Sequence, residues 1–166
     1  MATVERHPDP LPLRAAMEAG DAGAAVAAFA PDAVLHSPLT GRLSFTGHEQ
    51  IAAITEVILT VFEDFHYTGE LRGKDSAVLI ARARVGGQDI ETAEHLRLRP
   101  DGTIGEMTVF FRPLPAAATA LRVIGSALGR RKSPARGAVI SAMARPLAFF
   151  TRSGDGLGVR LVRRTL

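Results

Sequence analysis

The stretch of the chain with the clearest structural pattern is residues 65–112, FHYTGELRGKDSAVLIARARVGGQDIETAEHLRLRPDGTIGEMTVFFR. Apolar and polar residues alternate along it, as in residues 79–85, where small or apolar side chains alternate with Ile80, Arg82 and Arg84. Three groups of turn-forming residues interrupt the alternation, namely residues 73–75, 86–87 and 100–102. Period-two alternation broken by tight turns predicts an antiparallel meander of strands with one apolar face.

The same alternation predicts which side chains face the interior. One set of residues in each strand shares the apolar face and the intervening set faces outward. The predicted inward residues are Phe65, Tyr67, Gly69, Leu71, Leu79, Ala81, Ala83, Val85, Thr92, Glu94, Leu96 and Leu98. An inward carboxylate such as Glu94 is costly unless it is paired, so this residue is either functional or salt-bridged.

Helices and short strands precede the meander. Leu11–Phe29 has helical spacing that is interrupted at residues 20–23, where Asp21 is placed to cap a second helical piece. Short strands are predicted over Ala33–Ser37 and Leu43–Thr46, and an amphipathic helix over His48–Phe62. This order of elements predicts an α+β fold and not a βαβ repeat.

Composition restricts the class of protein. The 166 residues include 46% hydrophobic and 22% charged residues, enough for one domain with a real core. Without cysteine, disulfides and cysteine-based metal or redox chemistry are excluded. The N-terminus carries acids and prolines instead of the apolar run of a signal peptide, and no run of about 18 apolar residues occurs. We therefore expect a soluble, cytoplasmic protein.

Charge divides the chain in two. Residues 1–115 hold 10 Lys and Arg against 16 Asp and Glu (net −6), whereas residues 116–166 hold 10 against Asp155 alone (net +9). We expect a domain over 1–115 and a basic extension over 116–166, with helices at Ala116–Leu128 and at Ala138–Phe150, the latter kinked by Pro146. Val159–Leu166 is expected to be either a short strand or disordered.

The extension must cover its apolar residues with something, because short isolated helices are marginal in water. The first hypothesis is that Ala116–Leu128 docks on the acidic domain or on a dimer mate, while Gly129–Gly137 stays exposed and mobile. The alternative is contact with an anionic membrane through residues 116–150. Nucleic acid is not expected as a partner, because aromatic residues are not interleaved with the basic ones.

Three short motifs resemble the SnoaL-like, NTF2-like superfamily, in an uncharacterised bacterial branch related to polyketide cyclases and limonene-epoxide hydrolases. Residues 45–51 (FTGHEQI) resemble its strand-to-helix join, and residues 61–65 (VFEDF) resemble the segment after that helix. Residues 101–104 (DGTI) with 111–114 (FRPL) resemble the "D-G-x-I … R-P-L" of that branch. The resemblance covers roughly residues 10–115, so the extension lies outside it.

The resemblance implies a cone-shaped fold, often dimeric, with a cavity between a curved antiparallel sheet and N-terminal helices. The superfamily includes cyclases, epoxide hydrolases, a steroid isomerase and non-catalytic binding modules, so the fold leaves the function open. The acid that cyclases and hydrolases carry on the last strand is Val109 here. An Arg–Asp pair of the hydrolases corresponds to Arg82 and Arg84, and their first-strand Asn to His36.

Two residues are candidates for acid–base work. His36 is a histidine on a predicted strand, a residue type suited to a general base or to a hydrogen bond with a ligand, and Glu94 is a predicted inward carboxylate. The predicted lining of a ligand pocket is Tyr67, Ala81, Ala83, Met107, Val109 and Phe111. The five histidines lack metal-ligand spacing and no phosphate-binding glycine loop is present, so no metal and no cofactor are expected.

Besides a membrane-surface or protein-interaction module that uses the basic extension, two functions of the domain remain open at this point. The first is a non-catalytic module that binds a hydrophobic small molecule in an apolar pocket. The rival is a cyclase-, isomerase- or epoxide-hydrolase-type enzyme in which His36 and Glu94 approach each other across the cavity. Alternation assigns Arg82 and Arg84 to the outer face, paired with Glu91 or Glu106, whereas the resemblance places them in the cavity. We also expect a homodimer that buries the outer face of the meander, with Phe110 near its centre.

Overall fold

A computed structural model describes residues 9–38 and 40–163 of the chain. The helices in this part are α1 (Pro12–Glu18), α2 (Ala22–Ala27), α3 (Gly47–Val61), α4 (Leu114–Lys132) and α5 (Pro134–Arg163). The strands are β1 (Phe29–His36), β2 (Ser44–Thr46), β3 (Glu63–Arg72), β4 (Ser76–Val85), β5 (Gln88–Leu98) and β6 (Ile104–Arg112). They form one curved sheet in the order β2-β1-β6-β5-β4-β3, antiparallel except for the parallel pair β1–β6. The predicted α+β class is confirmed.

The meander from β3 to β6 follows the predicted turns. The β4–β5 hairpin turns through two residues, Gly86 and Gly87, whose φ angles are 54° and 76°. Both positions require the left-handed conformation that glycine adopts without cost, which is why this dipeptide sets the hairpin register. With the register fixed, Leu79, Glu94 and Leu96 point to the same, buried face.

The alternation predicted for the second half of β3 is wrong. Tyr67 lies opposite Ala81 and Gly69 lies opposite Ile80, so β3 uses two residues where β4 uses one. This β-bulge shifts the phase of all later side chains by one residue. Glu70 is consequently half-buried, whereas Leu71 is exposed on the outer face.

The N-terminal helices form largely as predicted. The Asp21 side chain accepts a hydrogen bond from the Ala24 amide at 2.9 Å, which caps α2 and separates it from α1. Phe29 belongs to β1 and not to the preceding helix. The buried residues of α3 recur at helical spacing and pack on the sheet, as the periodicity predicts (Ile51, Ile54, Thr55 and Val57).

The core lies between the concave face of the sheet and the helices. It includes fully buried Ile51 from α3, Leu79 from β4 and Leu96 from β5. It also includes Ala116, Ala120 and Ile124 from α4. Helix α4 therefore belongs to the same core as the rest of the domain, although it lies in the basic extension.

Contacts between α4 and two other elements confirm that this part of the extension docks on the domain. Thr119 is buried and accepts a hydrogen bond from the Gln88 side chain at the start of β5. Arg131 forms an ion pair with Glu56 of α3 and donates to the Ala53 carbonyl at 3.2 Å. Docking is thus both apolar and electrostatic, in line with the opposite charges of the two segments.

Gly129–Gly137 is a helix–helix junction, because α4 continues to Lys132 and α5 begins at Pro134. Residues 130–132 and 134–136 are exposed as predicted, whereas Gly129 and Gly137 are buried against each other. The mobility of this segment stays a prediction. The segment 159–166, expected to be a short strand or disordered, is helical as far as Arg163, and residues 164–166 lie outside the described part. Helix α5 is much longer than the predicted Ala138–Phe150, because it begins at Pro134 and continues through the glycine-containing residues 154–158 that were expected to form a turn.

The outer face of the sheet carries ion pairs. Arg82 is exposed, and its Nε donates to Glu91 Oε2 at 3.2 Å. Arg84 is also exposed, and its Nε lies 3.8 Å from Asp89 Oδ1. The alternation therefore placed both arginines correctly, whereas Glu106 contacts His36 and Arg97 instead. Within the described residues, no helix combines the length and the hydropathy needed to cross a bilayer.

Candidate functional site

A cavity of about 140 Å³ lies between the concave face of the sheet and helices α1, α3 and α4. Its wall is mostly apolar and is built by residues from nearly every element of the fold. The apolar lining residues include Leu13, Met17, Phe29, Leu35, Ile54, Ile58, Phe62, Phe65, Met107, Val109, Phe111, Leu121, Ile124 and Leu128. The polar lining residues are Ser37, Thr40, Thr55, Tyr67, Thr92 and Glu94.

Glu94 and Tyr67 form a hydrogen-bonded pair at the wall of this cavity. The Tyr67 hydroxyl on β3 donates to Glu94 Oε2 on β5 at 2.9 Å, and both side chains are buried. The Thr92 hydroxyl makes a longer contact of 3.5 Å with Glu94 Oε1. A buried carboxyl group with hydroxyl partners and an adjacent cavity is the most chemically distinctive feature of this site.

Strand β4 explains how residues from β3 and β5 meet. Ala81 lies directly opposite Tyr67 on one side and opposite Thr92 on the other. Neighbouring strands are separated by about 4.8 Å, so the phenol ring must cross β4 to reach Glu94. The small side chain of Ala81 leaves room for that crossing, which a larger residue would occupy.

Burial determines the ionisation of the pair. Removal from water raises the pKa of the Glu94 carboxyl to about 7, although the hydrogen bonds from Tyr67 and Thr92 act in the opposite direction. Burial and the neighbouring Glu94 carboxylate raise the pKa of the Tyr67 hydroxyl well above its usual value. Tyr67 therefore remains a hydrogen-bond donor, while Glu94 changes charge near neutral pH.

Two residues of helix α1 contact Tyr67. The backbone amide of Tyr67 donates to Glu18 Oε1 at 3.0 Å, and the Arg14 guanidinium lies 6.0 Å from the centre of the Tyr67 ring. Arg14 also contacts Glu70 at 3.5 Å, next to the bulge in β3. The sequence analysis did not identify these supporting residues, although the spacing of Arg14 and Glu18 on α1 is typical of a helical ion pair.

The structure does not bring His36 and Glu94 together. Leu35 faces the cavity, so His36 on the same strand faces outward, where its Nε2 lies 3.2 Å from Glu106 Oε1. Alternation along β1 separates the two candidates by the thickness of the sheet. An acid–base pair between them across the cavity is therefore wrong for this fold.

The other predicted lining residues divide into two groups. Tyr67, Met107, Val109 and Phe111 line the cavity, and their contact with a ligand stays a prediction. Ala81 and Ala83 are buried in the core and are not among the described lining residues. They lie on the expected, buried face of β4.

Helix α4 supplies the part of the wall that sequence reasoning did not assign. Leu121, Ile124, Gly125 and Leu128 line the cavity from this helix. Their spacing of three and four residues places them on one helical face. That spacing was a usable signal for burial, but only the docking of α4 shows that this face covers the cavity.

Comparisons with known proteins follow this geometry. Residues 13–112, which include Tyr67 and Glu94, match the SnoaL-like domain family. No curated protein matches the chain significantly. The match ends before α4, so the part of the wall that α4 builds lies outside the family pattern.

Solved structures with the same fold cover most of the chain. A steroid delta-isomerase from Pseudomonas aeruginosa is 30% identical and has a TM-score of 0.61, with 72% of this chain and 85% of that chain covered. An uncharacterized protein with a cystatin-like fold from Silicibacter pomeroyi DSS-3 is 22% identical over 75% of this chain and 85% of its own, with a TM-score of 0.65.

A third similar structure is SalBIII, an epoxide hydrolase/cyclase-like enzyme of pyran ring formation in the polyether salinomycin. It is 18% identical over 60% of this chain and 84% of its own, with a TM-score of 0.52, which indicates a shared fold alone. The fold is therefore NTF2-like, and the chain belongs to the SnoaL-like domain family.

Proposed function

We propose that the protein binds a small, mainly apolar molecule in the cavity and holds one of its oxygen atoms with Glu94. The observation that carries this proposal is the buried Glu94 carboxyl, 2.9 Å from the Tyr67 hydroxyl, in a cavity with a mostly apolar wall. Burying an ionisable group in such a place costs free energy. A few polar groups in a mostly apolar cavity are also the usual way in which a small ligand is oriented.

The size of the cavity limits the ligand to about one ring. Its volume of about 140 Å³ is close to that of an engineered apolar cavity of about 150 Å³ that binds benzene. A larger molecule would require movement of the wall. Helix α4 is the element whose displacement would enlarge the cavity, because four of its residues line it.

The protonation state of Glu94 determines which oxygen the site prefers. Tyr67 donates to Glu94 Oε2, so in the neutral acid the proton is placed on Oε1, whose contact with Thr92 is long at 3.5 Å. A neutral carboxylic acid in an apolar site can donate this proton in a hydrogen bond. The preferred ligand therefore carries a carbonyl oxygen, and binding weakens when Glu94 ionises.

The test compares cyclohexanone with methylcyclohexane by NMR titration of ¹³C-methyl-labelled methionine, because Met17 and Met107 line the cavity. We expect both probes to shift these methyl signals. Cyclohexanone should bind about tenfold more weakly at pH 8.5 than at pH 5.5, which corresponds to about 1.4 kcal/mol, the free energy of one hydrogen bond. Binding of the hydrocarbon should not depend on pH.

The matched variants are Glu94→Gln and Glu91→Gln, which neutralise an inward and an outward carboxylate of the same strand. Glu94→Gln should abolish the pH dependence of cyclohexanone binding, and Glu91→Gln should retain it. Methyl signals that do not respond to either probe would contradict the proposal. An unchanged pH dependence in Glu94→Gln would contradict the role of Glu94.

A second candidate function is proton transfer of the isomerase kind. It is favoured by the pKa of Glu94, about 7, since acid–base catalysts work best with a pKa near the working pH. The 30% identical steroid delta-isomerase also favours it. Glu94 as carboxylate would take a proton from the carbon between a carbonyl and an isolated double bond and return it at the far end of that double bond.

A one-ring probe for this candidate is cyclohex-3-enone, whose conversion to the conjugated cyclohex-2-enone changes its ultraviolet absorbance. Turnover should fall by about 10²- to 10⁴-fold in Glu94→Gln, the range for loss of an acid–base group. Glu91→Gln should leave it unchanged. Absence of turnover together with cyclohexanone binding would leave binding as the function.

A further inference from the structure

Helix α5 carries an exposed apolar stripe. Val139, Met143, Leu147 and Phe150 have exposed fractions between 48% and 77%, although all four are large apolar residues. Their spacing of four, four and three residues places them along one face of the helix. Scattered single apolar residues on a surface are ordinary, whereas a continuous stripe on one helix marks a surface that contacts something apolar.

The position of this stripe is fixed by the packing of α5 on α4. A Cβ added at Gly129 would lie 2.8 Å from Ile140 Cδ1 and 3.0 Å from Gly137 Cα. The two helices therefore approach closely where both carry glycine. This contact uses the face of α5 that holds Gly137, Ile140 and Ala144, and it leaves the apolar stripe uncovered.

Positive charge accompanies the stripe on the same helix hairpin. Residues 130–151 contain five Lys or Arg residues and no Asp or Glu. Arg131 is paired with Glu56, but Lys132, Arg136 and Arg145 are exposed and form no ion pair with any residue in the described part of the chain. Three unneutralised cations thus lie on the helix hairpin that presents the stripe.

We propose that the apolar stripe of α5 lies on an anionic membrane surface. A helix with an apolar stripe beside arginines inserts its apolar side chains at the boundary between headgroups and acyl chains, while the basic side chains contact lipid phosphates. No helix in the described residues is long and apolar enough to span the bilayer, so α5 lies in the plane of the membrane. This inference is independent of the ligand of the cavity.

Charge is the reason for choosing a membrane over a second copy of the chain. If the stripes of two copies packed together, two copies of segment 130–151, each with five basic residues and no acid, would be brought side by side. Juxtaposed like charges disfavour such an interface. An anionic bilayer neutralises them and covers the apolar stripe in the same contact.

The test is co-sedimentation of the full chain with vesicles of phosphatidylcholine alone or mixed with phosphatidylglycerol. The matched variants are Leu147→Glu on the stripe and Leu71→Glu on the outer face of the sheet, because the two leucines are 48% and 44% exposed. We expect binding to the anionic vesicles, at least fivefold weaker for Leu147→Glu and unchanged for Leu71→Glu. The combined variant Lys132→Gln, Arg136→Gln, Arg145→Gln should also bind at least fivefold more weakly.

Two further results decide the inference. Binding of the unmodified protein should fall when 0.5 M NaCl is added, because salt screens the contact with phosphates. Equal binding to neutral and anionic vesicles, or no binding at low salt, would overturn the proposal. An oligomer dissociated by Leu147→Glu, without vesicle binding, would assign the stripe to a second copy instead. Circular dichroism and the thermal midpoint of each variant establish that it is folded.

Discussion

At the scale of single residues, the pair Tyr67–Glu94 depends on a third residue that is neither polar nor exposed to the cavity. Ala81 lies between Tyr67 and Thr92 in the register of three strands, and it is completely buried. A larger side chain at this position would compete with the phenol ring for the same space, since protein interiors are closely packed. The hydrogen bond to Glu94 therefore requires a small residue at position 81.

Glu94 should make the stability of the protein depend on pH. Its pKa in the folded state is about 7, above the value of 4.5 for an ordinary glutamate. The folded protein therefore retains the proton between these values while the unfolded chain loses it. The free energy of unfolding is expected to decrease as pH rises from about 4.5 to 7, by on the order of 3 kcal/mol, and then to level off.

This dependence is measured by urea unfolding of the unmodified protein and of Glu94→Gln at pH 5 and pH 8. The glutamine variant cannot ionise, so its free energy of unfolding should change less between the two pH values. The difference between the two changes isolates Glu94 from the other titrating groups. If both proteins lose the same free energy between pH 5 and pH 8, the carboxyl is not held neutral by burial.

At the scale of elements, the junction of α4 and α5 is specified by glycines that allow the two helices to touch. A Cβ at Gly137 would clash with Arg130 Cγ and would lie 2.8 Å from the backbone oxygen of Ser126. The second contact involves backbone, so it cannot be relieved by rotating a side chain. Close packing of α5 on α4 in turn holds the helix that lines the cavity.

Gly137→Ala should therefore destabilise the helix pair by about 1 to 3 kcal/mol, as overpacking of a tight contact usually does. The matched control is Gly154→Ala in the same helix, because nothing lies within 4 Å of a Cβ built at Gly154. Alanine is the better helix former by about 1 kcal/mol, so this control should be neutral or stabilising. Urea unfolding followed by circular dichroism measures both variants, and equal effects would show that the close approach is not required.

At the scale of the whole molecule, the acidic domain and the basic extension form one structure. Residues 1–115 carry a net charge of −6 and residues 116–166 a net charge of +9. Helix α4 connects the two segments and places Arg131 in an ion pair with Glu56. The extension lines the cavity with one helix and carries an exposed basic and apolar surface on the next. The proposed ligand site and the proposed membrane surface thus involve the same pair of helices.

The homodimer remains a prediction at this scale. Phe110 is 58% exposed on the outer face of β6, where an aromatic residue is suited to anchor an interface. We expect light scattering to give twice the chain mass at micromolar concentration, and Phe110→Glu to give the chain mass. The control is Leu114→Glu, an equally apolar and 69% exposed site outside the sheet. A monomeric unmodified protein would contradict the prediction.

Local patterns in the sequence determined most of the elements and the identity of the buried carboxyl. Alternation placed Glu94 on the inner face of β5 and Arg82 on the outer face of β4, and both follow from the period of a strand. The glycine pair at 86–87 identified a hairpin turn, and Asp21 identified the start of α2. Both features depend only on neighbouring residues. Each of these features is a property of a few consecutive residues, which is why the sequence alone was sufficient.

Relations between distant segments were decided only by the tertiary structure. The bulge before Gly69 turned Glu70 inward and Leu71 outward, because the pairing partner on β4 fixes where β3 gains a residue. The pairing of β1 with β6 decided that the His36 side chain lies on the outer face, next to Glu106. The lining of the cavity by α4 depends on contacts between residues far apart in the chain. Contacts of this kind produce no periodic pattern in the local sequence.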